Sequence, residues 1–259
     1  STGMPTKTEQ ADLLQMLYGR NGESPIPIIA ASRPSDCFDA IYEACRIAIK
    51  YMTPVIFMSD LYIAFGAEPW RIPKVSDLPS IPVDFQQDTE GFSAYRRDET
   101  TLARPWAIPG TPGLEHRIGG LEKADITGDV NYNPENHERM VRLRAEKVAG
   151  ITNDIPPTEI FGESDGELLV LSWGGTYGTA RTAVEHAQED DASVSHVHLR
   201  YLNPFPKDLG DILKRFDKVL IPELNLGQLL KLVRAEYLIE GIGLHKVQGQ
   251  PFHVFEIEA

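Results

Sequence analysis

Apolar positions along this chain switch between short unbroken runs and a helical period. Leu13, Leu14, Leu17 and Tyr18 recur at helical spacing, and Gly19 and Gly22 punctuate the end of that pattern. Ahead of it, Thr6-Lys7-Thr8-Glu9 has the spacing of a capping box, which predicts the Thr6 hydroxyl on an early helical N–H and Glu9 reaching back. Pro27-Ile28-Ile29-Ala30 predicts a buried strand. From Ser35 a second helical pattern begins, with Phe38, Ile41, Tyr42, Cys45, Ala48, Ile49 and Met52 on one stripe. Pro54-Val55-Ile56-Phe57-Met58 predicts another buried strand. Residues 1–67 therefore alternate helix, strand, helix, strand, as part of a parallel sheet. Two strands cannot cover themselves, so this unit is expected to be half of a domain.

The pattern breaks after Glu68. Pro69, Pro73, Pro79, Pro82, Pro105 and Pro109 interrupt every period up to about Thr111, which predicts an extended crossover or arm. Asn133-Pro134 then opens a helix, with asparagine as cap and proline at the first helical position, and Gly150 closes it. Its His137, Glu138, Arg139, Arg142, Arg144, Glu146 and Lys147 are expected on a solvated face with charge pairs three and four residues apart.

Residues 167–259 form a second alternating unit. The predicted elements are a strand over 168–172, a helix from Thr176, a strand over 194–199, a short helix over 209–216, a strand over 218–221, a helix from Asn225 to about Ile239 and a last strand over 244–247. Asn225-Leu226-Gly227-Gln228 repeats the capping-box logic. Such alternation implies an open parallel sheet with right-handed crossovers, in which function gathers at the carboxyl ends of the strands.

Composition narrows the function more than it names it. A formal net charge of -13 with no basic tract argues against nucleic acid. No apolar run approaches the roughly 20 residues of a membrane span, and the first ten residues lack the apolar core of a signal peptide, so a cytoplasmic location is expected. Cys37 and Cys45 are too few for a four-cysteine cluster and are expected to be packed within a helix.

Four places carry candidate chemistry. Trp173-Gly174-Gly175-Thr176-Tyr177-Gly178 joins a strand to a helix, where N–H groups can hold an anion. It lacks phosphate-loop spacing and lysine, so a tight turn is the better account. His196 and His198 share one strand face, but no cysteine or carboxylate pattern completes a metal site. Arg200-Tyr201-Leu202-Asn203-Pro204-Phe205-Pro206 suits docking on a neighbouring subunit as well as it suits a stiff loop. Neither a GxSxG elbow nor an HExxH motif is present, and the residues alone assign no reaction.

Longer stretches add a resemblance. The opening STGMPTKTEQ with Asp12-Leu13, then SDCFDAIYEACRIAIKYMTPVIFMSD, IPGTPGLEHRIGG, NHERMVRLRAEKV, RYLNPFPKDL and PELNLGQL resemble, in order, the alpha subunit of 2-oxoacid:ferredoxin oxidoreductases, most strongly the 2-oxoglutarate type. The resemblance implies an α/β fold: a partial thiamine-pyrimidine-domain-like parallel sheet (1–67), a Pro-rich arm and connecting helix (68–166), and a transketolase C-terminal-like open parallel sheet (167–259). It implies oxidative decarboxylation of a 2-oxoacid to acyl-coenzyme A with electrons passed to ferredoxin. Thiamine diphosphate with Mg2+ and an iron–sulfur cluster would be held largely by a beta subunit, with none expected on this chain alone.

The family's activating glutamate, YPITP-like loop and carboxylate-binding arginine would all precede Ser1. The chain is thus expected to be a C-terminal part of the subunit, inactive alone, with no catalytic residue of its own and a tendency to self-associate. Thr6, with Thr2 and Gly3, is the position the resemblance places beside the substrate carboxylate. A non-catalytic assembly module, and a relative acting on pyruvate or a branched-chain acid, stay open as alternatives.

Overall fold

The computed structural model describes residues 3–259. Two sheets organise them. The first has three strands in the order β2-β1-β6: β1 (Ile28–Ala30) pairs in parallel with β2 (Ile56–Met58) and antiparallel with β6 (Tyr201–Asn203). The second has the order β3-β5-β4-β7-β8. In it β4 (Gly166–Trp173), β5 (Val194–Leu199), β7 (Phe216–Glu223) and β8 (Ile242–His245) run parallel, and β3 (Ile160–Phe161) joins antiparallel at the edge.

The helices follow the crossovers. α1 (Leu13–Tyr18) precedes β1, α2 (Cys37–Tyr51) links β1 to β2, and α3 (Leu61–Phe65) follows β2. α4 (Pro134–Gly150) returns from the arm, while α5 (Tyr177–Glu189), α6 (Leu209–Leu213), α7 (Gln228–Tyr237) and α8 (Val254–Glu258) belong to the second sheet. The α4 boundaries agree with the sequence, because Asn133 Oδ1 accepts the Asn136 N–H at 2.9 Å and Pro134 occupies the first turn.

One core joins the sheets. Ile28, Ala30 and Met58 pack with Leu13, Leu169, Leu171, Leu199 and Leu229, so that face of β1 is sealed by the second unit. Ile29 points the other way, onto Ala40, Ala44, Ile47 and Tyr51 of α2. Truncating Ile28 to alanine would cost about 2–5 kcal/mol here. Both faces of β1 are therefore covered, and the expected uncovered half-sheet is confined to the edge strand β2, whose Ile56 and Phe57 stay half-buried.

Several expectations change. Thr6 caps nothing: α1 begins at Leu13 with Asp12 at its cap position, and Thr6 lies exposed in irregular chain. Backbone pairing drew the segment away, since Thr8 N donates to Gly249 O at 2.9 Å and Gln10 N to Leu224 O at 3.1 Å. Glu9 pairs with Lys7 at 3.0 Å instead of reaching back to Thr6.

α2 buries the stripe Ala40, Ala44, Ile47 and Tyr51, not the Phe38 stripe. The bulkier stripe faces the arm, with Phe38 against Trp70 at 5.5 Å and the Tyr42 hydroxyl on Pro79 O. Cys45 on that stripe is exposed, whereas Cys37 is half-buried and packs against the Ile29 cluster, so the packed reading holds for Cys37 and fails for Cys45.

Tyr201–Asn203, expected as docking loop or stiff turn, is a strand of the first sheet; its docking partner is this same chain. α6 stops at Leu213 because Phe216 already pairs with Gly166 in the sheet. β8 lies two residues earlier than expected. α4 is only partly solvated: Arg142 pairs with Glu138 four residues back, but Arg139 and Arg144 reach Asp125 and Glu122 on the arm.

Candidate functional site at the carboxyl ends of two sheets

β1, β2, β4 and β7 all deliver their carboxyl ends to one region. β4 leads left to β5, and the chain then crosses back to β7 on its right, so the gap between β4 and β7 is the topological switch point. In open α/β sheets that gap is where ligands bind. Here the protein fills it with its own Gln10, which is 2% exposed.

Gln10 makes four bonds there. Its Nε2 donates to Trp173 O at 2.6 Å and its Oε1 accepts from Leu224 N at 3.0 Å. Its backbone N–H donates to Leu224 O, and its carbonyl accepts from Asn225 Nδ2 at 2.9 Å. Each buried polar group of the side chain is thus satisfied, and the cavity left beside it is about 10 Å³.

The Trp173–Gly178 turn does hold an anion, and the anion is internal. Gly175 N donates to Asp60 Oδ2 at 2.7 Å, while Asp60 Oδ1 accepts from Ile63 N at 3.1 Å and so caps α3. Burial pushes the Asp60 carboxyl above its ordinary value, and the N–H bonds from Ile63 and Gly175 pull it back. Gly175 must be glycine, because a Cβ there would sit 2.4 Å from Asp60 Oδ2. Gly174, at φ +60, would place a Cβ 2.7 Å from Gln10 Nε2.

The neighbouring Glu223 is fully buried at the start of α7. Its Oε1 accepts from Leu229 N at 2.7 Å and Asn225 Nδ2 at 3.0 Å, and its Oε2 accepts from Leu230 N at 3.1 Å. A carboxylate at these orphan N–H groups offsets the helix dipole. Asn225 Oδ1 accepts from Gln228 N at 2.8 Å, as half of the expected box. The other half goes elsewhere: Gln228 Oε1 accepts from Leu14 N at 2.9 Å and caps α1 across the domain boundary.

His196 and His198 do share a face, and Ser172 of β4 joins them. Its Oγ lies 2.7 Å from His196 Nε2 and 2.7 Å from His198 Nδ1. Burial, with Arg181 nearby, pulls His196 down to about 4, and burial holds His198 well below its ordinary value too. Both rings are neutral at pH 7. The Tyr177 ring closes this corner at 4.9 Å from the His198 ring. Arg200 reaches Asp36, which also accepts from Ser32 N and Ser32 Oγ at 2.9 Å. Among the described residues, no group of three or more His, Cys, Asp or Glu stands together as metal ligands.

Of the substrate-side candidates, Thr2 lies outside the described residues. Gly3 is exposed at φ +106, with open space where a Cβ would be, and Thr6 is exposed three residues on. Both lie on a stretch laid against the Gly249 turn, where a Cβ on Gly249 would sit 3.0 Å from Lys7 Cβ and 3.1 Å from Met4 Sδ. The stretch is carried by the anchored Gln10 behind it. Sequence reasoning missed Gln10 and Asp60 because their deciding partners lie 163–215 and 115 residues away, and it missed Glu223 because that residue closes a strand and meets the first N–H groups of the next helix only once both are folded. Asp60 alone left a signal, as an acidic residue opening Leu61-Tyr62-Ile63.

A cleft of about 730 Å³ opens at the opposite, amino end of the sheets. It is bounded by Arg20, Val141, Phe205, Lys207 and Tyr237.

Comparison with known proteins bears on this geometry. Residues 1–133 match the family model described as pyruvate flavodoxin/ferredoxin oxidoreductase, thiamine diphosphate-binding, and residues 166–248 match pyruvate:ferredoxin oxidoreductase core domain II. The chain is 54% identical over 258 residues to the 2-oxoglutarate oxidoreductase subunit KorA of Mycobacterium tuberculosis, covering 99% of this chain and 39% of that protein. It is 30% identical over 232 residues to the 2-oxoglutarate synthase subunit KorA of Archaeoglobus fulgidus, covering 89% and 59%. A solved 2-oxoglutarate:ferredoxin oxidoreductase from Magnetococcus marinus, with 2-oxoglutarate, coenzyme A and succinyl-CoA bound, superposes at TM-score 0.92 and 32% identity. That match covers 100% of this chain and 45% of the other. The chain spans about two fifths to three fifths of the length of these relatives.

Proposed function

Because this chain belongs to the pyruvate flavodoxin/ferredoxin oxidoreductase, thiamine diphosphate-binding family, we propose that it is part of the alpha subunit of a 2-oxoglutarate:ferredoxin oxidoreductase. The observation that carries the reading is the superposition of the whole chain on the Magnetococcus marinus enzyme at TM-score 0.92. The 54% identity to a 2-oxoglutarate oxidoreductase subunit KorA supports 2-oxoglutarate ahead of pyruvate or a branched-chain acid. The overall reaction takes 2-oxoglutarate, coenzyme A and two oxidised one-electron ferredoxins to succinyl-CoA, carbon dioxide, two reduced ferredoxins and a proton.

Thiamine diphosphate does not fit the switch-point crevice of this chain. Gln10 fills it, the 10 Å³ that remains is far below the size of a pyrimidine ring, and the turn N–H of Gly175 is already on Asp60. The cofactor with its Mg2+ and the iron–sulfur cluster are therefore assigned mainly to a beta subunit. This chain's part is to present Gly3 and Thr6, with Thr2, to the 2-oxoacid carboxylate on a segment braced by Gln10. The Thr6 hydroxyl then donates a hydrogen bond to a charged acceptor. Coenzyme A and ferredoxin are met through the assembled enzyme. The location is cytoplasmic, in keeping with the absence of any helix among the described residues long and apolar enough to cross a membrane. The exposed Tyr62 and Phe65 of α3, with Ile72 and Val75 of the arm that follows it, supply apolar surface for self-association or subunit contact.

The test is 2-oxoacid-dependent, coenzyme A-dependent ferredoxin reduction by the assembled complex. A kcat/KM at least about tenfold higher for 2-oxoglutarate than for pyruvate is expected. Equal turnover of pyruvate would overturn the substrate. No turnover of any 2-oxoacid by a correctly assembled complex would favour the assembly-module alternative.

A further inference from the structure

Between α4 and the arm, cations outnumber their partners. Met140, Arg144 and Lys147 lie at i, i+4 and i+7 on the arm-facing side of α4. Arg97 of the arm meets this stripe, with its Nη2 3.8 Å from Met140 Sδ. Arg97 and Arg104 both lie over the Tyr95 ring, with guanidinium carbons 5.6 and 4.6 Å from its centroid. Two like charges thus share one aromatic ring. Around Lys147 the charged groups that act on it are Arg97, Arg104 and Arg144, all of them positive.

The carboxylates do not match this number. Asp125 takes Arg97 at 2.8 Å and is shared with Arg139 at 2.6 Å. Glu122 takes Arg144 at 3.4 Å and is shared with His137 at 2.5 Å. Among the described residues, Arg104 and Lys147 have no carboxylate partner; the Lys147 ammonium reaches only Met52 O, at 3.2 Å. Burial, with the three guanidinium groups, pulls Lys147 down to about 8. In a chain of net charge -13, two partly buried cations without carboxylate partners, close enough to repel each other, are unfavourable unless an anion joins them.

We propose that Arg104 and Lys147, flanked by Arg97 and Arg144, form a binding site for a phosphate monoester dianion. The charge matches: two unpaired cations meet a group carrying about -1.5 to -2 at pH 7. The donor types match as well, because the planar guanidinium of Arg104, over Tyr95, offers a bidentate edge and the lysine a point charge. The site is separate from the switch-point crevice and does not use Gln10, Asp60 or Thr6. It also does not depend on which 2-oxoacid the enzyme uses. The phosphate can be free or the end of a larger molecule.

Calorimetric titration of the purified protein, with its partner subunit where the two co-purify, tests the site. The probes are inorganic phosphate and AMP, each against sodium chloride of equal ionic strength. Saturable one-to-one binding of phosphate is expected, weakened at least about tenfold in Arg104→Gln and in Lys147→Gln. Arg104→Lys should recover part of the loss, and Arg142→Gln, ion-paired to Glu138 on another face of α4, should bind as the parent does. Tighter AMP than phosphate identifies a larger ligand, and equal affinity identifies the free ion. If Lys147→Gln does not fold, Arg104→Gln decides alone, since it breaks no ion pair. Heats equal to those of chloride, or unchanged binding in Arg104→Gln, overturn the proposal. So does a result in which phosphate fails to bind and the variants instead weaken association with the partner subunit, which would make the cluster a protein interface.

Discussion

Residues 3–7 and 8–12 adjoin on one stretch of chain and meet opposite fates. The second group is locked: Thr8 and Gln10 are buried, and Gln10 alone makes four hydrogen bonds into the ends of β4 and β7. The first group is presented: Gly3, Met4 and Thr6 are exposed, and Gly3 takes a backbone conformation that an L side chain rarely adopts. The difference shows how a fold spends its ligand-binding crevice. The switch point that would hold a ligand in a free-standing open sheet is used here as an anchor, and what it anchors is the segment carrying Thr6. Positioning and contact are separated by about four residues, so they can be broken separately.

The largest expected effect comes from the anchor. Gln10→Ala keeps the two backbone bonds but leaves Leu224 N buried without a partner, at about 1–3 kcal/mol, and takes from Trp173 O one of its two donors, the other being Thr176 Oγ1 at 2.7 Å. A loss of about 2–4 kcal/mol in unfolding free energy is expected from urea denaturation followed by tryptophan fluorescence. Gln10→Glu restores only the acceptor and should recover less than half. An alanine variant as stable as the parent would show that the crevice readily admits water, and that Gln10 is not what holds the segment.

Acid attacks the locked half by another route. Folding holds His196 at about 4 against an ordinary 6.5, so between these values the unfolded chain binds the proton that the folded chain refuses. Its contribution is fully present above pH 6.5, falls as the pH drops and is lost below about 4. That shift corresponds to about 3 kcal/mol. His198, also depressed, adds in the same direction. Stability measured from pH 7 to 4 should therefore fall more steeply in the parent than in His196→Gln, which has nothing to protonate there. Parallel pH profiles would sink the assignment of a neutral buried imidazole pair bridged by Ser172.

Legibility in the sequence divides along the same line. Elements with local signals were readable: β5 over Val194–Leu199 from its place in the strand–helix alternation, and α4 from Asn133-Pro134 to Gly150. Elements that exist because of a distant partner were not. β6 is three residues long and becomes a strand only because β1, about 170 residues earlier, offers it an edge. α2 carries two apolar stripes, and sequence weighs Phe38, Ile41 and Tyr42 above Ala40 and Ala44. Close approach of the helix to Ile29 demands the small residues, so the bulky stripe turns outward to the arm.

The candidate site follows the same rule. The Gly174-Gly175 turn was visible as a place for an anion, yet its occupant is Asp60, 115 residues away. Thr6-x-x-Glu9 satisfied the spacing of a capping box, but Gly249 O and Leu224 O claimed the N–H groups of Thr8 and Gln10. Local pattern cannot register that competition.

The smallest expected change in stability is at Thr6, and that makes it the cleanest probe of contact. Had Thr6 capped α1, its replacement would cost about 1 kcal/mol through the helix, and any kinetic loss would be confounded with folding. Since α1 begins at Leu13 and Thr6 is exposed, Thr6→Val should change unfolding free energy by no more than about 0.5 kcal/mol. If the presented segment meets the 2-oxoacid carboxylate, the same variant in the assembled enzyme loses a hydrogen bond to a charged group, about 1.5–3 kcal/mol, or tenfold or more in kcat/KM. Thr6→Ser keeps the hydroxyl and should retain most of the activity. The comparison sharpens further against Gln10→Glu, where stability and kcat/KM should fall together because the brace is weakened and the hydroxyl is untouched. Unchanged kcat/KM in Thr6→Val, with stability also unchanged, would reduce residues 3–7 to surface chain and leave the carboxylate to other residues.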